Sequence, residues 1–127
     1  MSFFDKIFGG ENNEVNSNVN WIPLTDVSQL YEIVENSNDK TIGIFKHSTR
    51  CSISRFALKQ FEKEYNLDDK VDLYFLDLLN HRDISNEIAN QFQVVHQSPQ
   101  LILIKNGVAV YNTSHGEIDA SQIYKFI

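Results

Sequence analysis

Cysteine is nearly absent from the 127-residue sequence, in which Cys51 is the only one. One thiol cannot close an intrachain disulfide, so the fold has to hold without one, and a lone thiol suits a reducing compartment. Positive charge is also scarce. The 11 Lys and Arg are outnumbered by 17 Asp and Glu, and the net charge of −6 leaves no basic patch to hold phosphates. That argues against nucleic acid or an anionic membrane as partner. No stretch comes near the roughly 20 consecutive apolar residues that span a bilayer. The start, from Met1 to Phe8, places an acid inside its apolar part, so neither a transmembrane segment nor a signal peptide is expected, and the expected location is the cytoplasm. His47, His81, His96 and His115 are scattered without the close pairs that zinc sites use; they read as surface or turn residues, and no metal is expected. No internal repeat is visible.

What is present divides into a short front segment and one domain with a modest core. Phe3, Phe4, Ile7 and Phe8 would line one face of a two-turn helix that Gly9-Gly10 ends, either a frayed terminus or a docking peptide for a partner or membrane surface. Residues 9–20 are polar and read as a linker. Residues 1–20 are thus an amphipathic segment plus linker, and residues 21–127 the domain.

The domain opens with Trp21 to Leu24 as a short edge strand, since Pro23 cannot donate to a ladder. Thr25 would cap a first helix with Val27, Leu30, Tyr31 and Val34 as its buried stripe. The strand Ile42–Phe45 follows, then a helix to about Asn66 whose Ile53, Phe56, Ala57, Phe61 and Tyr65 recur at helical spacing. Val71–Leu78 suits a third strand. Asn80 would cap a helix with Ile84, Ile88 and Phe92 on one face. Leu101–Ile104 is an unbroken apolar run, as expected of a strand covered on both sides. Asn106-Gly107 between two hydrophobic runs favours a type I′ hairpin, so the strand Val108–Asn112 must run antiparallel to its predecessor. Asp119 and Gln122 resemble a capping box for a last helix that offers Ile123 and Ile127 to the core. The order β-α-β-α-β-α-β-β-α gives an α/β fold with a mixed sheet between two layers of helix.

The chemistry gathers in Lys46-His47-Ser48-Thr49-Arg50-Cys51-Ser52-Ile53-Ser54, where strand turns to helix. Cys51 falls at the helix start, where backbone N–H groups lack intrahelical partners and carry partial positive charge. Arg50 adds a full positive charge, and both favour the nucleophilic thiolate over the thiol. Ser54, three residues along the same helix, either donates a hydrogen bond to that thiolate or lies on the helix surface. Lys46 and Asp77, at the ends of the second and third strands, are placed so that either could approach Cys51, but they read first as ordinary solvated strand ends. With no second thiol in the chain, a sulfur enzyme built on Cys51 must run a monothiol cycle: it takes the small thiol from a mixed disulfide and is regenerated by an outside thiol. The competing reading is a non-catalytic binding module whose cysteine is incidental.

The Cys51 turn and Ser98-Pro99, directly before an apolar strand, make residues 21–127 resemble the thioredoxin superfamily. More narrowly, Ser48 to Ser54 together with His96-Gln97-Ser98-Pro99-Gln100 is similar to the monothiol bacilliredoxins of the bacillithiol system. Members of that family usually show Thr-Cys-Pro-Ile-Ser at the turn, whereas here Arg50 precedes the cysteine and Ser52 replaces the proline. The resemblance implies a thioredoxin-like three-layer sandwich with helices on both faces of the mixed central sheet, and a cis-proline loop facing the cysteine. It implies a bacterial thiol–disulfide oxidoreductase with Cys51 as nucleophile, Arg50 and Ser54 beside the thiolate, and Thr49, Ser98 and Pro99 as substrate-binding positions. Ser54 then stands where dithiol relatives carry their second cysteine. The implied co-substrate is bacillithiol or another low-molecular-weight thiol, with no tightly bound cofactor; the implied clients are S-thiolated proteins, and a monomer is expected.

Overall fold

Three strands that are apolar on both faces decide where every layer goes. The structure, a computed structural model, describes residues 19–67 and 70–127. In chain order these form β1 (Ile22–Pro23), α1 (Gln29–Asn36), β2 (Thr41–His47), α2 (Ser52–Glu64), β3 (Val71–Asp77), α3 (Arg82–Phe92), β4 (Gln100–Lys105) and β5 (Val108–Ser114). Two 3-10 segments, His115–Glu117 and Ala120–Phe126, end the chain. The sheet order is β1-β3-β2-β4-β5. β1 and β2 pair with β3 in parallel, whereas β4 is antiparallel to both β2 and β5. The mixed sheet with helices on both faces is the expected α/β architecture. The expected amphipathic segment Phe3 to Phe8 and the linker up to residue 18 lie outside the described residues.

Period two of the strands separates two cores. Phe45, Leu73, Phe75, Leu101 and Leu103 point to the face covered by α2 and the C-terminal 3-10 segments, where they meet Phe61, Tyr65 and Ile123. Ile42, Ile44, Leu76, Ile102 and Ile104 point the other way, onto Leu30, Ile33, Ile84 and Ile88 of α1 and α3. Trp21 sits in the first core with its ring centroid 5.7, 5.8 and 5.4 Å from those of Phe45, Phe61 and Phe75, and its Nε1–H donates to Glu62 Oε2 at 2.6 Å. Val19, which the sequence assigns to the linker, is buried in this core too.

Helix boundaries differ from the sequence expectation where side chains intervene. Thr25 is not a cap. Gln29 Oε1 accepts from the backbone N–H groups of Thr25 and Asp26, and Asp26 Oδ1 accepts from Ser28 N–H, so a side-chain-held turn delays the helix to Gln29. Val27 falls in that turn and Tyr31 on the solvent side; both are exposed, and the buried stripe is Leu30 and Ile33 with Val34 half-buried. On α2 the buried set is Ser54, Ala57, Leu58 and Phe61, which turns Ile53 and Phe56 outward at 55% and 70% exposure. Asn80 does not cap α3; its side chain donates back to Asp77 Oδ2. The last helix is 3-10 rather than α: Asp119 Oδ1 accepts from both Ser121 N–H and Ser121 Oγ–H, tightening the first turn. Ile123 is fully buried, but Ile127 is exposed.

The Asn-Gly hairpin forms as expected, with Asn106 at φ 53° and Gly107 at φ 81°, the pair of left-handed residues that a type I′ turn needs. Gly107→Val forces a β-branched side chain into that conformation. It should lower stability by about 1–2 kcal/mol, measured by urea unfolding followed through Trp21 fluorescence, with no change in the unfolding slope.

Candidate active site

β2 ends at His47, and the chain needs only the turn Ser48 to Arg50 before α2 begins. Cys51 takes the N-cap position, at φ −104° and ψ 122°. Its carbonyl accepts the first helical bond, from Arg55 N–H at 3.0 Å, and its own N–H donates to Ser48 O at 3.2 Å. The residue is half-buried. Thr49 and Arg50 are exposed, and Arg50 makes no ion pair among the described residues. A different arginine braces the turn: Arg55 Nη1–H donates to Thr49 O at 3.0 Å.

Ser54 is fully buried on the inner side of α2. Its Oγ accepts from Ser48 N–H at 3.0 Å and lies 2.8 Å from His47 Nδ1. Neither reading offered by the sequence holds: no hydrogen bond from Ser54 to Cys51 is among those of the described residues, and Ser54 is not on the helix surface. Ser54 instead fastens the turn that carries the cysteine to the end of β2.

His47, read from the sequence as a surface or turn residue, is only 2% exposed, tilted against Phe75 at 5.4 Å between ring centroids. Burial pushes its pKa down to about 4, and the Arg55 guanidinium pushes the same way, while the Asp77 carboxylate partly offsets them. The imidazole is therefore neutral at neutral pH. With its proton on Nε2, it accepts the Ser54 hydroxyl at Nδ1 while Ser54 Oγ accepts from Ser48. Asp77 pairs with His47 in the parallel register of β3 and so faces the same side of the sheet. Its Oδ2 takes the Asn80 amide, and Oδ1 is buried without a hydrogen-bond partner. Asp77 is half-buried rather than a solvated strand end.

The Ser98–Pro99 peptide bond is cis. β4 starts immediately after it, with Gln100 opposite Lys46 of β2. Continuing that ladder by one residue sets Pro99 level with His47, so the loop borders the sheet end from which the Cys51 turn springs. Pro99 O accepts from His115 N–H at 3.0 Å, which ties the loop to the end of β5. Ser98 Oγ is buried without a hydrogen-bond partner.

Lys46 departs furthest from expectation. Instead of a solvated strand end it is fully buried. Nζ donates to Ser85 O and to His96 Nδ1, each at 3.2 Å, and burial pushes its pKa down to about 8. Sequence reasoning set Lys46 aside as a solvated strand end and missed His47 and Arg55 as parts of the site. The available signal was the polar pair Lys46-His47 closing an otherwise apolar strand; Arg55 carries no comparable mark. Among the described residues no group of three or more His, Cys, Asp or Glu side chains is placed to hold a metal ion, and no helix is long and apolar enough to cross a membrane.

A family profile described as monothiol bacilliredoxin BrxC matches residues 22–123. Among solved structures, a candidate oxidoreductase with a thioredoxin fold is 35% identical, over 82% of this chain and 90% of that chain, with a TM-score of 0.70. Thioredoxin from Malassezia sympodialis is 19% identical, over 91% of this chain and 94% of that one, with a TM-score of 0.66. Thioredoxin from Trypanosoma brucei brucei is 15% identical, over 90% and 93%, also with a TM-score of 0.66. The last two likenesses speak to the fold alone, and the fold is that of thioredoxin.

The depressed pKa of His47 makes stability pH-dependent. Between its unfolded value of about 6.5 and its folded value of about 4, the unfolded chain binds a proton that the folded chain refuses. Stability is therefore full above that window and falls as pH drops through it. The loss reaches about 3 kcal/mol for this one group at the acid end. His47→Asn should flatten that part of the curve. Equal slopes for both proteins between pH 6.5 and 4, read by urea unfolding, would remove His47 as its source.

Proposed function

The chain belongs to the monothiol bacilliredoxin family, and from that premise we propose that it removes bacillithiol from mixed disulfides on proteins, with Cys51 as the nucleophile. The observation that carries this reading is a half-buried lone cysteine at the N-cap of α2, springing from the sheet end that the Ser98–Pro99 loop borders. The first N–H groups of α2 favour negative charge at that position, and exposed Arg50 adds its own.

In the first half-reaction the Cys51 thiolate attacks the bacillithiol sulfur of a protein–S–S–bacillithiol bond. The disulfide's electron pair leaves with the client sulfur, which takes a proton from solvent, and bacillithiol stays on Cys51 as a new mixed disulfide. A second bacillithiol, as thiolate, then attacks that disulfide, forming oxidised bacillithiol and returning the Cys51 thiolate. Ser54, standing where a dithiol enzyme has its resolving cysteine, cannot perform this second step. The client's backbone adds along the open edge beside Ser98, where proline supplies no competing N–H. Exposed Ile53 and Phe56, on the first turns of α2, form an apolar rim for the client's side chains. The setting proposed is a monomer in a reducing cytoplasm, with S-thiolated proteins as clients.

The test is a client protein carrying one bacillithiol adduct. Intact-mass analysis should show the adduct moving to Cys51 and leaving when bacillithiol is added. Cys51→Ala should acquire nothing, and client thiol release should fall to the uncatalysed rate. The same client loaded with glutathione, coenzyme A or cysteine should turn over more slowly. Equal release with and without Cys51 would overturn the assigned activity, and a faster glutathione adduct would change the thiol.

A further inference from the structure

Lysine is almost never fully buried unless it is paired. Lys46 is fully buried, yet among the described residues it has no carboxylate within ion-pair distance. Its two acceptors are the Ser85 carbonyl on α3 and His96 Nδ1 in the segment between α3 and β4, and Ser85 Oγ also lies 3.2 Å from that nitrogen. Directly across the ladder stands Gln100, equally buried. Its Nε2–H donates to Val95 O at 3.0 Å, and its Oε1 accepts from Gln97 N–H at 3.4 Å. Each of the residues 95, 96 and 97 is thus held by a buried polar side chain of the sheet. Apolar packing does not hold this segment, because Val95 is 78% exposed and His96 is exposed as well. The next two residues are Ser98 and cis Pro99.

We propose that Lys46 is a positioning residue for client binding: with Gln100 it clasps residues 95–97, and its bond to His96 keeps the Ser98–Pro99 loop ready to receive a client's chain. The client-binding part rests on the function proposed above; the clasp itself does not. Stability gives no reason for a lysine there, since a packed apolar side chain in place of a buried ion is often neutral or stabilising.

The clasp has two pH limits. His96 accepts only when neutral, and partial desolvation of its ring, with Lys46 and Arg82 of α3, holds its pKa below the usual histidine value. Below that point an imidazolium faces an ammonium. Above about 8 the Lys46 amine loses its charge, and the bond its charge assistance. The other side chains level with Lys46 in the ladder, Leu76 of β3 and Gln100 of β4, are uncharged, and Tyr74 further along β3 has its pKa raised and stays neutral through this range.

The experiment measures kcat and KM for client thiol release against pH in the wild type, Lys46→Met, His96→Phe and His96→Gln. Cys51 alkylation by iodoacetamide and hydrogen exchange at Gln97 N–H are followed alongside. Loss of one charge-assisted bond should raise KM by about tenfold or more at pH 7 in Lys46→Met and His96→Phe. Alkylation should stay within twofold of wild type, and Gln97 should exchange faster. His96→Gln keeps an acceptor and should keep a near-normal KM while losing the acid limb of the profile. Wild-type KM should rise above pH 8, and Lys46→Met should lack that rise. Unchanged KM and exchange in Lys46→Met, or alkylation and KM falling together, would overturn the proposal. Should Lys46→Met not fold, His96→Phe decides the same points. If the wild type does not act on the client at all, the assigned function fails, and the exchange rates alone decide the clasp.

Discussion

The pleat of β2 sends successive side chains to opposite faces of the sheet, and β2 is hydrogen-bonded on both sides, to β3 in parallel and to β4 in antiparallel register. A slip of one residue would turn both cores inside out, so the register is firmly specified. The same alternation that sends Ile44 to one core and Phe45 to the other continues into Lys46 and His47. The strand therefore delivers a buried cation beneath α3 and a buried neutral imidazole beneath α2 at the end where the chain's one cysteine emerges.

Those two residues support the two sides of the site by different physics. On the α2 side, His47, Ser54 and Ser48 form a chain of short hydrogen bonds that fixes the turn, and burial keeps the imidazole uncharged. On the α3 side an ammonium is retained inside the protein, held by a carbonyl and a neutral histidine nitrogen. Burying either group costs free energy, and a packed apolar residue would avoid that cost. Lys46, His47, Ser54, Ser85 and Gln100, all buried and polar, lie at this end of the sheet, whereas the middle of β2 and β4 is apolar. Such crowding of buried polar groups at the sheet end from which the Cys51 turn springs is what a site requires when geometry outranks stability.

A single thiol also limits the chemistry. In the function proposed, a serine in place of a resolving cysteine leaves an adduct on Cys51 until another molecule removes it, so Cys51 has to stay accessible for two successive partners. Cys51 itself is half-buried at the N-cap of α2, between an exposed turn and the exposed apolar residues Ile53 and Phe56.

Element order, the mixed sheet, the Asn106-Gly107 hairpin and the position of Cys51 at a helix start were all legible in the amino-acid order, because apolar period and turn chemistry are carried by residues close in the chain. Helix faces are legible in full only on α3, where Ile84, Ile88 and Phe92 lie as expected; on α2 and its C-cap Ala57, Phe61 and Tyr65 are buried as expected, but Ser54 on the inward face turns Ile53 and Phe56 out. The cis state of Ser98–Pro99 followed from family resemblance and not from its own neighbours. Lys46 and His47 could be read only as a polar ending to a strand. Their burial depends on Ser85 and His96, 39 and 50 residues further along, and on a serine one helical turn into α2. Local pattern thus determined the fold and the place of the lone cysteine, and tertiary structure decided which polar groups gather at that end of the sheet, because a charged or titratable side chain is buried only where distant partners converge to satisfy it.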